Sequence, residues 1–290
     1  MRFINLALIV VFAVSCSSSN KHLQQSPAEK KADLLYQYGT EKLVHKDYTA
    51  ALKFLSDAEQ VNPDNSKLQN NLGMTYLFKK KSELAIKHLK LAISLDKYNS
   101  DARNNLASIF YQQKKFDSAL TEYKEILKHL TYNRQYRTYY NMALIYNKKD
   151  KMDLVLEYLN KSIEEKNDYC PAHYKLGKYY YSNKRFNLAL DHFHQSALGI
   201  CFENPAPYFW KAKTLASQKR YFKAKQKFKE LIKKFPKSGY SKNAYKEISN
   251  VMKQESLSLK MGEQNYRYKK NSNSLQSMQD QPVNLETPDF

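Results

Sequence analysis

One spacing constrains this chain more than any other. Gly39, Gly73, Ala107, Ala143, Gly177 and Ala212 follow one another at intervals of 34, 34, 36, 34 and 35 residues. Twelve residues after each lies Ala51, Ala85, Ala119, Val155, Ala189 or Ala224, and four further on lies Leu55, Leu89, Tyr123, Leu159, Phe193 or Phe228. A small residue on a first helix is expected to face a small residue on a second, so that the axes approach closely. The Leu or aromatic one turn later lies on the same helix face and fills the space beside them. No such hairpin can bury its apolar face alone, so six of them must stack. Only six Gly in 290 residues, with this regular apolar spacing, suits an all-α chain.

A 34-residue helix pair of this kind resembles the tetratricopeptide repeat. The expected fold is all-α: a right-handed α-solenoid of about six hairpins and a capping helix. Repeats are placed at about 32–65, 66–99, 100–133, 136–169, 170–203 and 205–238, and the cap at 239–254. The polar remainder, 255–290, lacks an apolar period and is predicted to be disordered. Two extra residues enter near Thr131-Tyr132-Asn133-Arg134, between the third and fourth repeats.

The front end reads as targeting. Met1-Arg2-Phe3 is followed by an apolar run, Ile4 to Val14, too short to span a bilayer as a helix. Ala13-Val14-Ser15-Cys16 then precedes Ser17-Ser18-Ser19-Asn20. Small residues before a Cys, then a polar stretch, resemble a bacterial lipoprotein cleavage site, although Ala13 stands where that pattern usually has Leu. The resemblance implies a signal peptide at 1–16, lipidation at Cys16, a tether at 17–31, and sorting to the outer membrane because Ser17 is not Asp. An ordinary secretory signal cut near Ser15 is the alternative.

Catalysis finds no support. There is no Gly-rich phosphate loop, no nucleophile elbow and no Cys-x-x-Cys, and the repeats occupy nearly all the folded length. His192 and His194 project about 200° apart on a helix and cannot chelate one ion; they read as surface residues flanking Phe193. No metal or cofactor is expected. The net charge of +20 invites a nucleic-acid reading, but the lysines look scattered along helix surfaces and no nucleic acid is expected. A basic surface would suit anionic envelope polymers or lipid headgroups. Cys170 and Cys201 flank the two antiparallel helices of repeat five and so lie at one end of the hairpin. Either they form a disulfide, closing a loop of roughly 32 residues and adding ~3–4 kcal/mol, or they remain two partly buried thiols.

The inner groove of a solenoid is its default binding surface. Its first-helix positions here include Tyr36, Asn70, Met74, Asn104, Tyr111, Tyr140, Tyr174, Lys178, Tyr181 and Phe209. Aromatic area interleaved with amide and ammonium donors suits a protein partner.

The layout also resembles the type IV pilus biogenesis lipoproteins of the PilF/PilW and Tgl kind. The residues that carry the likeness are the Leu130-Thr131-Tyr132-Asn133 break after repeat three, Tyr140-Asn141-Met142-Ala143, Asn70-Asn71-Leu72-Gly73 and Asn104-Asn105-Leu106-Ala107. That resemblance implies a non-catalytic pilotin, lipid-anchored in the outer membrane and facing the periplasm, that binds a secretin subunit and promotes its assembly. The stretch from Lys223-Ala224 to Phe235-Pro236-Lys237-Ser238-Gly239-Tyr240 instead resembles BamD or CpoB repeat endings, which implies outer-membrane protein assembly or cell-wall coordination. A scaffold for a peptidoglycan enzyme is a third reading.

Overall fold

The computed structural model describes residues 26–279, with side chains to 264. Cys16 and the expected signal lie outside the described residues. The chain divides into two compact units, residues up to 106 and from 107 onward, the boundary falling inside one helix. The described residues form thirteen α-helices in sequence and a single 3-10 turn.

In the first unit, α1 (Pro27–Val44) pairs with α2 (Tyr48–Val61) and α3 (Ser66–Phe78) with α4 (Ser82–Leu95); α5 (Ser100–Gln112) begins here. In the second unit the rest of α5 pairs with α6 (Phe116–Leu127), α7 (Gln135–Lys148) with α8 (Met152–Glu165), α9 (Cys170–Ser182) with α10 (Phe186–Gln195), and α11 (Pro205–Ser217) with α12 (Tyr221–Lys234). α13 (Gly239–Gln279) packs on α11 and α12.

The helix ends follow from local chemistry. Pro27 opens α1 and Ser26 caps it: its hydroxyl accepts from Glu29 N–H, while the Glu29 carboxylate accepts from Ser26 N–H. This box starts the helix at 27, so the expected tether ends five residues earlier than predicted. Asn65 and Asn204 cap α3 and α11 through their side-chain oxygens.

Each hairpin turns in the same way. Lys46, Lys80, Lys114, Asp150, Lys184 and Lys219 all adopt positive φ, between 55° and 64°. The next residue's N–H then donates to the carbonyl five residues back: Asp47 to Lys42 (2.9 Å), Lys81 to Tyr76 (2.9 Å), Arg185 to Tyr180 (2.9 Å) and Arg220 to Leu215 (3.0 Å). This Schellman closure normally takes glycine. Here lysine adopts the left-handed conformation in five of the six turns.

The core sits where the register requires. Ala51, Ala85, Ala119, Ala189 and Ala224 are fully buried, as are Leu55, Leu89, Phe193 and Phe228. The contact differs in one detail from the expected small-on-small meeting. A Cβ placed on Gly39 would meet Leu55 Cγ at 2.6 Å, on Gly73 Leu89 Cγ at 2.7 Å, and on Gly177 Phe193 Cδ1 and Cε1 at 2.7 Å. The large side chain thus lies over the small residue rather than beside it, and the small partner clears the way for the backbone.

Beyond the cap the structure departs from the expected disorder, because α13 continues through 255–279. Among its described side chains, which end at 264, the last buried one is Val251. Past it, Ser, Leu, Lys, Glu and Gln offer fair helix propensity, with Gly262 as the lone breaker and no proline before 282. From 252 to 264 the helix runs on with no buried side chain.

Candidate functional site

In the second unit, α9 and α11 bring their first-helix side chains together. Lys178 Nζ lies 3.1 Å from the centroid of the Trp210 ring, and Lys213 Nζ lies 5.4 Å from it. Tyr181 meets Trp210 edge-on at 5.2 Å and donates to or accepts from Ser217 at 3.1 Å. Burial, followed by the neighbouring Tyr240 hydroxyl, pushes the Tyr174 pKa up to about 12. Burial, followed by the charges of Lys213 and Lys175, lowers the Lys178 pKa. Glu247 answers this group, 3.2 Å from Lys213.

Beside this aromatic–lysine group, between the fourth and fifth hairpins, lies a cleft of about 780 Å³. Its floor is apolar, formed by Ala143, Val155 and Leu159, with Leu144 and Met152 above. Tyr174 and Tyr179 supply aromatic walls; Asn147, Asn183, Lys175 and Lys178 supply polar groups. An apolar trough edged with amides and ammonium groups accepts an extended peptide: side chains fill the floor, and backbone carbonyls or a carboxylate meet the edge.

The predicted site residues distribute unevenly. Tyr174, Lys178 and Tyr181 converge here. Phe209 does not. It is buried, with its ring 5.6 Å from Phe228 and 5.4 Å from Tyr240. α13 lies across α11 and turns that groove position into core, and the neighbouring Trp210 takes its place on the open face. Tyr140 packs edge-on against Tyr169 at 5.5 Å and, partly buried, lies against the second unit's core. Tyr111 lies 5.8 Å from Phe116 within its own hairpin. In the first unit, Asn70 is engaged in a ladder: Asn105 Nδ2 donates to Asn70 Oδ1 (2.8 Å), Asn70 Nδ2 to Asn71 Oδ1 (3.2 Å), and Asn71 Nδ2 to Thr40 Oγ1 (2.9 Å). Tyr36 packs against the Leu55 and Leu68 cluster, Met74 is half-buried on α3, and Asn104 on α5 is half-buried with polar interactions of its own.

The histidines also differ from the expected surface pair. His173 Nε2 donates to the Asn167 carbonyl at 2.7 Å, which leaves His173 Nδ1 to accept from His192 Nδ1 at 2.9 Å. Tyr180 stacks on His192 at 5.3 Å. His192 is therefore an internal hydrogen-bonding residue, and burial, helped by His173, lowers its pKa to about 4. Among the described residues, no group of three or more His, Cys, Asp or Glu is placed to hold a metal. Cys170 and Cys201 are joined as a disulfide, with Cα atoms 6.2 Å apart. It ties the start of α9 to the 3-10 turn Gly199–Cys201.

Two tetratricopeptide-repeat signatures match the chain, one over residues 66–99 and 136–169 and another over 208–238. Among solved structures, PilF of Pseudomonas aeruginosa superposes with a TM-score of 0.66 at 18% identity, over 77% of this chain and 100% of that one. The fold is a tetratricopeptide-repeat fold. PilW, described as a widely conserved type IV pilus biogenesis factor, matches with a TM-score of 0.62 at 17% identity, over 74% of this chain and 98% of that one. A chain of the APC/C hetero-tetramer Cut9–Hcn1 matches with a TM-score of 0.53 at 14% identity, over 79% of this chain and 48% of that one. A search of curated proteins finds no significant sequence match. At these identities the likeness establishes architecture, and the residues of the tetratricopeptide face must carry any statement about partners.

Sequence reading missed Trp210, Asn147 and Asn183. Trp210 was detectable as the sole tryptophan, one position off the groove register. The two Asn carried no periodic signal, because they stand at first-helix ends rather than on the groove face.

Proposed function

We propose that this chain is a non-catalytic scaffold that holds a protein partner, and specifically a lipid-anchored outer-membrane pilotin that binds a secretin subunit. The observation that carries the scaffold reading is the cleft of Leu144, Asn147, Tyr174 and Lys178, apolar below and cationic at its edge. The pilotin reading is supported by the fold likeness to PilF and PilW, which spans nearly the whole of both those chains. Lipidation at Cys16 supplies location. The Cys170–Cys201 disulfide suits an oxidising compartment such as the periplasm. No bond is made or broken in the partner. The tetratricopeptide face contributes recognition, its lysines meeting a carboxylate-bearing segment while Tyr174 and Tyr179 cover apolar side chains.

The test is a pull-down of the full chain from outer membranes, identified by mass spectrometry, beside Cys16→Ala, Lys178→Glu and Asn147→Ala variants. A secretin recovered with the native chain, and lost or reduced at least about tenfold by Lys178→Glu, supports the reading. Barrel-assembly proteins recovered in its place would overturn the pilotin role and leave the scaffold. Unchanged recovery by Lys178→Glu would overturn the cleft as the binding site.

A further inference from the structure

The lysines are not scattered as they look in the sequence. In the second unit the four hairpin turns lie along one edge. Lys149 Nζ reaches Asp117 Oδ1 at 2.7 Å between the third and fourth hairpins, Met152 and Ser182 line one cleft between the fourth and fifth, and Gln218 Nε2 donates to Asn187 Oδ1 at 2.7 Å between the fifth and sixth. Cations gather on these turns. Lys184, Arg185, Lys219 and Arg220 are all exposed, and neither α10 nor α12 carries an acid in its first turn. Lys114, Lys115 and Lys151 extend the row, partly countered by Asp117, Asp150 and Asp153. The loops at the opposite edge are mixed, Lys166 beside Asp168 and Glu203 at the end of repeat five.

Apolar side chains stand among these cations. Phe222 is 75% exposed, Met152 43% and Leu188 42%, each in the first turn of its helix at this edge. The first unit shows the same mixture by itself: Lys79, Lys80 and Lys81 follow Phe78, which is 47% exposed and stacked on Tyr48 at 4.7 Å. A soluble polyanion would use the charge and leave Phe222 in water. An anionic bilayer uses both, because headgroups meet the cations and the interface accepts the apolar side chains.

We propose that the hairpin-turn edge of the second unit, centred on Lys184, Arg185, Lys219, Arg220 and Phe222, docks on an anionic phospholipid surface. This contact requires no acyl anchor and adjoins the cleft, whose lining residue Met152 stands at the same edge. Each cation near such a surface multiplies binding by about fivefold, so four together can hold the edge on the membrane in a salt-dependent way.

The test uses the full chain with Cys16→Ala, which removes any acyl contribution, floated with vesicles of phosphatidylcholine alone or with roughly a third phosphatidylglycerol. The expected result is binding to the anionic vesicles only. Reversal of all four cations to Glu should weaken it more than about a hundredfold. Phe222→Ser, at unchanged charge, should weaken it roughly tenfold. A milder Lys184→Gln/Lys219→Gln variant, matched to the native chain in melting temperature, should lie between. Absence of binding to anionic vesicles would overturn the proposal, as would equal binding to neutral ones. Binding to duplex DNA as tight as to vesicles, with Phe222→Ser undiminished on both, would also overturn it and make the edge a general polyanion site.

Discussion

Gly177→Ala tests the packing logic of the whole repeat. The added Cβ would lie 2.7 Å from Cδ1 and Cε1 of Phe193 and 3.1 Å from Cγ. Phe193 is fully buried and its ring is 6.2 Å from Trp210, so it cannot swing into solvent. Overpacking of this kind costs about 2–3 kcal/mol. Alanine returns ~1 kcal/mol of helix propensity over glycine. The net expectation is destabilisation by about 1–2 kcal/mol. Trp210, the sole tryptophan, places a fluorescence reporter beside the altered contact, so urea unfolding followed by Trp emission reads the region directly. A double-mutant cycle isolates the cause. Phe193→Ala alone should cost about 3–5 kcal/mol. Within that background, Gly177→Ala has no ring to meet and should become stabilising by ~1 kcal/mol. The coupling between the two positions is thus about 2–3 kcal/mol. A Gly177→Ala midpoint at or above the native value, or the same loss in both backgrounds, would refute the idea that the large side chain dictates the small one.

Two further outcomes follow from the turns and the buried imidazoles. Lys80 has φ 59° at the Schellman position, so Lys80→Gly should stabilise by about 0.5–1 kcal/mol in urea; Lys81→Gly, at φ −101°, should not, and equal effects at both sites would sink the backbone argument. His192 is held near a pKa of about 4 from 6.5, so the unfolded chain binds a proton there that the folded chain refuses between those values. Stability should therefore fall as pH drops from about 6.5 to about 4. In His192→Gln, with an amide that can still meet His173, the fall in urea midpoint should be smaller, and an equal fall in both proteins would refute the assignment.

Much of the fold is legible in the sequence because its information is local. The (i, i+4) pairs such as Ala189 and Phe193 mark one helix face, and a 34-residue repetition of that face forces neighbours to bury it. Cys170 and Cys201 could be paired as one alternative because antiparallel helices return the chain to the same end. The register also located Tyr174, Lys178 and Tyr181. It could not locate Phe209 correctly, since its burial depends on α13, which arrives some 30 residues later and lies across α11. It could not show that His173 and His192, 19 positions apart, share a hydrogen bond.

The charge distribution makes the same division. Sequence alone determined how many cations the chain carries and that helices would present them to water. Only the stacking of hairpins decided that Lys184, Arg185, Lys219 and Arg220 belong to one edge, because that requires the turns of successive repeats to become neighbours. A period in sequence specifies which face is buried. Which exposed residues stand together is decided by how the buried faces meet.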